Sequence, residues 1–243
     1  MTEVPGPFQP RRVLAVGAHP DDIEFGCGAT LARWAASGTE VVLLVLTDGS
    51  KGTWERDADI AALVKVRRVE QQGAAHTLGA AGVEFLDLVD GELEAGRAER
   101  AAVCEVIRRV QPDTVVGHDP WKRYRLHPDH RRAGELVVDA IVAARDPHFY
   151  PERGGAHRPE RLLLFEAEDP DHVEDAGPGF DDKVAALLCH RSQWRSTLGI
   201  EGGTPAEAAQ RRALVERLRG EAAAAGEAQG LELGEAFRRL EPL

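Results

Sequence analysis

Three cysteines, Cys27, Cys104 and Cys189, stand far apart among 243 residues, with no CxxC pair between them. So sparse and odd a set argues against a disulfide framework and fits a reducing cytoplasm. No run approaches the ~18 consecutive apolar residues of a transmembrane helix. The opening MTEVPGPFQPRR holds no apolar stretch, so a secretory signal peptide is not expected. Basic charge is short as well: 30 Lys and Arg stand against 41 Asp and Glu, a formal charge of −11. Neutralising phosphates takes the opposite balance, so nucleic acid is not an expected partner. Internal repeats are absent. Gly26-Cys27-Gly28 lacks the GxGxxG spacing, which removes the signature of a nucleotide-binding Rossmann protein.

What remains is an ordinary globular composition, 43% apolar and 29% charged. The length fits one large α/β domain over 1–243, with 1–10 as a flexible N-terminus. RVLAVG (12–17), VVLLVL (41–46), residues 83–88, residues 114–117 and residues 162–165 read as buried strands. Helical patterns over 25–36, 58–78, 99–110 and 129–144 alternate with them, and two later helices are expected over 181–189 and 205–225. That alternation predicts a Rossmann-like, doubly wound, mainly parallel sheet with helices on both faces. The Pro- and Gly-rich stretch 147–159 reads as a long surface loop, either a lid or an insertion.

Open α/β sheets bind ligands beyond the carboxyl ends of their strands. Two polar segments fall there. Ala18-His19-Pro20-Asp21-Asp22-Ile23-Glu24 follows the first strand, and His127-Pro128-Asp129-His130 follows the fourth and enters a helix. Imidazole and carboxylate donors together suit Zn²⁺ and related divalent ions. Two His and one carboxylate make a known catalytic zinc set, and titratable groups are left over for proton transfer. His127 and His130, three apart on a first helical turn, share one face. Of the adjacent Asp21 and Asp22, one can bind metal while the other reaches the metal's water. A helix cap is the plain alternative for Asp129, but it does not explain two such segments at two strand ends.

AHPDDIE and HPDH, supported by LTDGSKG, VDGEL and LLCHRSQW, resemble the LmbE-like or PIG-L family of metal-dependent N-acetylglucosaminide deacetylases. The resemblance covers most of the chain. It implies His19, Asp22 and His130 as metal ligands and Asp21 as general base. It implies His127 as oxyanion stabiliser or acid for the leaving amine, and Asp129 as the group that orients His127 or a neighbour. Many members read HPDDE without a break; here Ile23 precedes Glu24, which resembles the bacillithiol-type branch. Glu24 is equally open to a surface or capping role. Arg67, in an Arg-x-x-Glu pattern ending at Glu70, is expected to bind substrate, with Arg68 as competitor. Asp90 in VDGEL is expected to accept sugar hydroxyls, and Arg125, with Trp121, to line the mouth. His190 matches a family histidine, and a structural role is the commoner fate of such a residue. Cys27 reads as a small buried residue. His118, His76, His148, His157 and His172 have no matching partner and are not expected to be ligands.

The expected activity is therefore a zinc hydrolase that removes acetyl from a small, soluble N-acetylated aminosugar glycoside in the cytoplasm, with homo-oligomers possible. A thiol-sugar conjugate amidase on the same metal site and a non-catalytic sugar-binding relative are the alternatives.

Overall fold

The computed structural model describes residues 8–243. At its centre are short runs rich in Val and Leu, apolar on both faces as strands covered from both sides must be. β1 (Arg12–Gly17), β2 (Glu40–Thr47), β3 (Gly82–Leu88), β4 (Thr114–His118) and β5 (Arg161–Phe165) pair in parallel. The crossovers are α1 (Asp22–Ala36), α2 (Ile60–Thr77), α3 (Arg97–Val110) and α4 (Pro128–Arg145). Successive strand residues alternate between two cores. Leu14, Val16, Leu44 and Leu46 pack with Ile107 of α3 and Leu136 of α4, while Val13, Ala15, Val41 and Leu43 pack with Leu31 and Trp34 of α1.

After β5 come β6 (His172–Asp175), α5 (Phe180–Cys189), α6 (Glu207–Glu227) and β7 (Gly234–Leu240). The strand order is β3-β2-β1-β4-β5-β7-β6, with β7 antiparallel to both β5 and β6. The five parallel strands were legible as apolar runs; β6 and β7 were not. In β7 the buried Glu235 interrupts any apolar pattern. Its carboxylate is satisfied only in the folded chain, by Lys183 Nζ at 2.6 Å and by the N–H groups of Ala29 and Thr30.

The order of connection places the site. From β1 the chain moves outward through β2 to β3, then returns to the other flank of β1 as β4. That reversal opens a crevice over the carboxyl ends of β1 and β4, where the two His-Pro-Asp segments emerge.

Two expectations change. Pro147–Pro159 links α4 to the start of β5, so it lies at the amino edge of the sheet, opposite the crevice. It is also fastened. The buried Arg108 donates to the carbonyls of Ala143, Ala144, Asp146, Phe149, Tyr150 and Gly154, so this loop is no lid over the site. Of the stretch expected to be flexible, residues 1–7 lie outside the described residues. Phe8 packs edge-on against Trp34 with ring centroids 5.7 Å apart, and Pro10 accepts a hydrogen bond from Thr39 Oγ1. The glycines around Cys27 serve packing: a Cβ on Gly26 would lie 2.4 Å from the Phe165 ring.

Candidate metal centre

The β1–α1 turn delivers the first set of groups. His19 and Asp22 are three apart, and the Asp22 carboxylate bonds back to the His19 N–H at 2.8 Å. That carboxylate is the hub of the site. It lies 3.2 Å from His19 Nδ1, 3.2 Å from His118 Nε2 and 3.2 Å from His130 Nε2. Burial alone would raise its pKa; His130, His118 and His19 outweigh that and hold it well below the carboxylate range.

The α4 terminus delivers the second set. Pro128 occupies the first turn, where a missing N–H costs nothing. His127 is the N-cap, and its Nδ1 accepts the Asp129 N–H at 3.3 Å. In a neutral ring the proton then sits on Nε2. Partial burial and then the neighbouring His19 and His130 lower the His127 pKa. Its ring stacks on His130 with centroids 4.9 Å apart.

Behind His19 stand two carboxylates. Nε2 is 3.1 Å from Asp129 Oδ2 and 3.1 Å from Asp90 Oδ1. Their remaining capacity is taken by backbone N–H groups, Gly91 and Leu93 on Asp129 and Lys51 on Asp90. The ring is thereby oriented through Nε2, as the second nitrogen of a metal-ligating histidine is, while Nδ1 faces Asp22 at 3.2 Å. Burial pulls the His19 pKa down, but Asp22, Asp129 and Asp90 raise it well above its ordinary value. The acids of this crevice demand positive charge.

Three overlapping groups bring one donor atom per residue within 4.8 Å of one another: His19, His127 and His130; Asp22, His118 and His130; and His19, Asp90 and Asp129. The first offers three imidazoles and the second two imidazoles and a carboxylate, donor chemistry that fits Zn²⁺ or a similar divalent ion; the expected set of His19, Asp22 and His130 draws on both. The third is closed off by the backbone amides just described and serves better as support.

Asp21 belongs to none of these groups. Its backbone is left-handed, φ 97° and ψ −23°, and its carboxylate lies 3.4 Å from Arg67 Nη2. Burial pushes its pKa up, Arg67 pulls it down, and the balance is a value of about 6.

The remaining expected residues divide. Arg67 is buried and donates to the carbonyls of Gly49 and Pro20 at 2.8 and 2.7 Å, so it serves the loops instead of an open mouth. Arg68 points away, paired with Asp87 and stacked 4.2 Å from the Phe85 ring centroid. Asp90 is likewise buried, against His19. Arg125 does reach the crevice: Nη1 is 3.0 Å from His130 Nδ1 and 2.6 Å from Glu166. Trp121 is exposed on the same loop. Glu24 is fully buried, which excludes a surface role, and sits 3.7 Å from the buried His190. Cys27 is fully buried, as its type suggests.

Two residues were missed. His118 was set aside for want of a sequence partner, yet it ends β4 and meets Asp22; only strand order makes that contact. Glu166, just past β5 with φ 52°, contacts His118 at 3.5 Å and carried no motif. Its position at the end of a strand beside β4 was the one available signal.

Comparison with known proteins was made against this geometry. A family profile described as PIG-L, GlcNAc-PI de-N-acetylase, matches residues 14–141, from β1 into α4. The chain belongs to the PIG-L family. Among its relatives is a diacetylchitobiose deacetylase of Thermococcus kodakarensis, 34% identical over 188 residues, covering 76% of this chain and 70% of that protein. Another is a 4-oxalmesaconate hydratase of Pseudomonas putida, 30% identical over 195 residues, covering 75% of this chain and 74% of that one. A solved structure of N,N'-diacetylchitobiose deacetylase from Pyrococcus horikoshii superposes with a TM-score of 0.84 at 28% identity, covering 96% of this chain and 85% of that chain. PIG-L membership therefore fixes the fold, while the relatives' names span more than one reaction. No helix among the described residues is long and apolar enough to cross a membrane.

Proposed function

We propose that this protein is a zinc-dependent hydrolase that removes the N-acetyl group from an N-acetylglucosamine-type glycoside. One observation carries the reading: Asp22 gathers three imidazoles, while its neighbour Asp21 holds a separate buried carboxylate outside that cluster. A hydrolase needs this separation of ligand from base. His19, Asp22 and His130 would hold the ion. When bound, zinc supplies a water of lowered pKa and a Lewis acid for the amide oxygen.

The chain's own groups do the rest. Asp21 accepts a proton from the attacking water. His127, neutral and protonated on Nε2, donates toward the carbonyl oxygen as charge develops there. The proton taken up by Asp21 is passed to the departing nitrogen as the C–N bond breaks, and acetate is the second product. Asp129 and Asp90 fix the His19 ring from behind, and Arg67 acts on Asp21. Arg125 is the remaining contact for the sugar, set at the crevice beside His130 and Glu166. The substrate class is supported by the deacetylase relatives and by the family description. The three free cysteines favour a cytoplasmic setting.

The test is acetate release from N-acetylglucosamine glycosides by the zinc-loaded protein, with and without chelator. Chelator-sensitive release is expected, with return of activity on adding zinc. Absence of release from every N-acetylated aminosugar, with turnover instead of a thiol-sugar conjugate or of an unsaturated acid, would replace the deacetylase reading. Sugar binding without turnover would reduce the protein to a binder.

A further inference from the structure

Asp21 keeps a left-handed backbone without being glycine, a strained conformation for an L-residue. Such a conformation persists only where its surroundings over-determine it. Here the determinant is a grip on one peptide unit. The carbonyl of Pro20 accepts from Arg67 Nη2 at 2.7 Å, and the N–H of Asp21 donates to Gln71 Oε1 at 3.0 Å. Arg67 and Gln71 lie one turn apart on the buried face of α2, so a single helix holds both ends of the Pro20–Asp21 peptide.

The Gln71 amide has only one useful orientation. Its Nε2 lies 2.6 Å from Glu24 Oε1, and the Asp21 N–H on its other side can only donate. Oε1 must therefore face Asp21. Glu24 and Gln71 are both fully buried, so no water competes for either bond. Neither residue touches the metal ligands' donor atoms, and the function described above leaves Gln71 without a task.

We propose that Gln71, aligned by Glu24, is a positioning residue that fixes the Pro20–Asp21 peptide and with it the direction of the Asp21 carboxylate. This rests on Asp21 being the base. Misplacing a base by about 1 Å can cost on the order of 10²-fold in rate, so kcat should register the loss while KM and bound zinc do not.

The experiment exchanges the pair. Gln71→Leu removes the grip. Gln71→Glu keeps an acceptor for the Asp21 N–H but sets two carboxylates face to face. Gln71→Glu with Glu24→Gln restores donor, acceptor and net charge with the roles reversed. In the zinc-loaded enzyme, both single variants should lose about 10- to 10²-fold in kcat at unchanged KM and zinc content, and the double variant should recover most of it. In the metal-free protein, amide exchange at Asp21 followed by NMR should quicken in Gln71→Leu and slow again in the double variant. An unaltered kcat in Gln71→Leu, or a double variant no better than Gln71→Glu, overturns the proposal. Asp21→Asn separates the two levels. If it is inactive while Gln71→Leu is normal, only the positioning role fails; if Asp21→Asn is fully active, the base assignment fails and the proposal with it.

Discussion

Arg67 and Arg108 are both buried, both on helices, and both spend their guanidinium N–H groups on backbone carbonyls. They sit at opposite edges of the same sheet. At the amino edge Arg108 meets six carbonyls and no carboxylate, closing the end of α4 and fastening the loop to β5. At the carboxyl edge Arg67 ties Gly49 to Pro20 and keeps Nη2 near the Asp21 carboxylate. One arginine completes a fold; the other holds the proposed base in place. The chemical type is the same, and the edge of the sheet decides the use. Left-handed, non-glycine residues stand at both edges, Asp21 and Glu166 at the carboxyl one and Gln111 and Tyr150 at the amino one.

The widest separation between the edges is expected from Asp22→Ala. It removes the acceptor shared by three imidazoles, and both bound zinc and acetate release should fall to background, as read by metal analysis and a product assay. Arg108→Met should do the reverse. It leaves six carbonyls without their donor and should cost about 3 kcal/mol or more in stability, seen in denaturant unfolding, while the folded fraction deacetylates normally. If Arg108→Met instead lowered kcat of the folded protein, the contrast between edges would be wrong. Asp129→Asn probes support behind the ligand: zinc affinity should weaken about 10- to 100-fold in a chelator competition titration. The smallest effect is reserved for Arg68→Ala, next in sequence to Arg67 but half-exposed on Asp87. Activity should be unchanged and stability altered by less than about 1 kcal/mol, measured by turnover and thermal melting.

Much of this was legible along the chain. The parallel strands announced themselves because a strand covered on both faces must be apolar throughout. The two His-Pro-Asp segments were visible because ligand chemistry restricts residue types and because they closed predicted strands. His118, Glu166, Gln71 and the buried role of Glu24 were not. Each is a single polar residue whose partner lies 41 or more positions away, as with Arg125 and Glu166 or His118 and Asp22, and nothing local marks that partner. Arg67 and Arg68 show the same limit from the other side, since adjacent helix residues face different surroundings and only packing tells them apart.

The order of residues alone determined an α/β layering and the donor types at two strand ends, because periodicity and metal chemistry are local properties. Tertiary structure decided which imidazoles share one carboxylate, which arginine meets an acid, and which loop lies far from the crevice. Those depend on strand order and on the turn of each helix, through which the chain brings together groups that its sequence keeps apart.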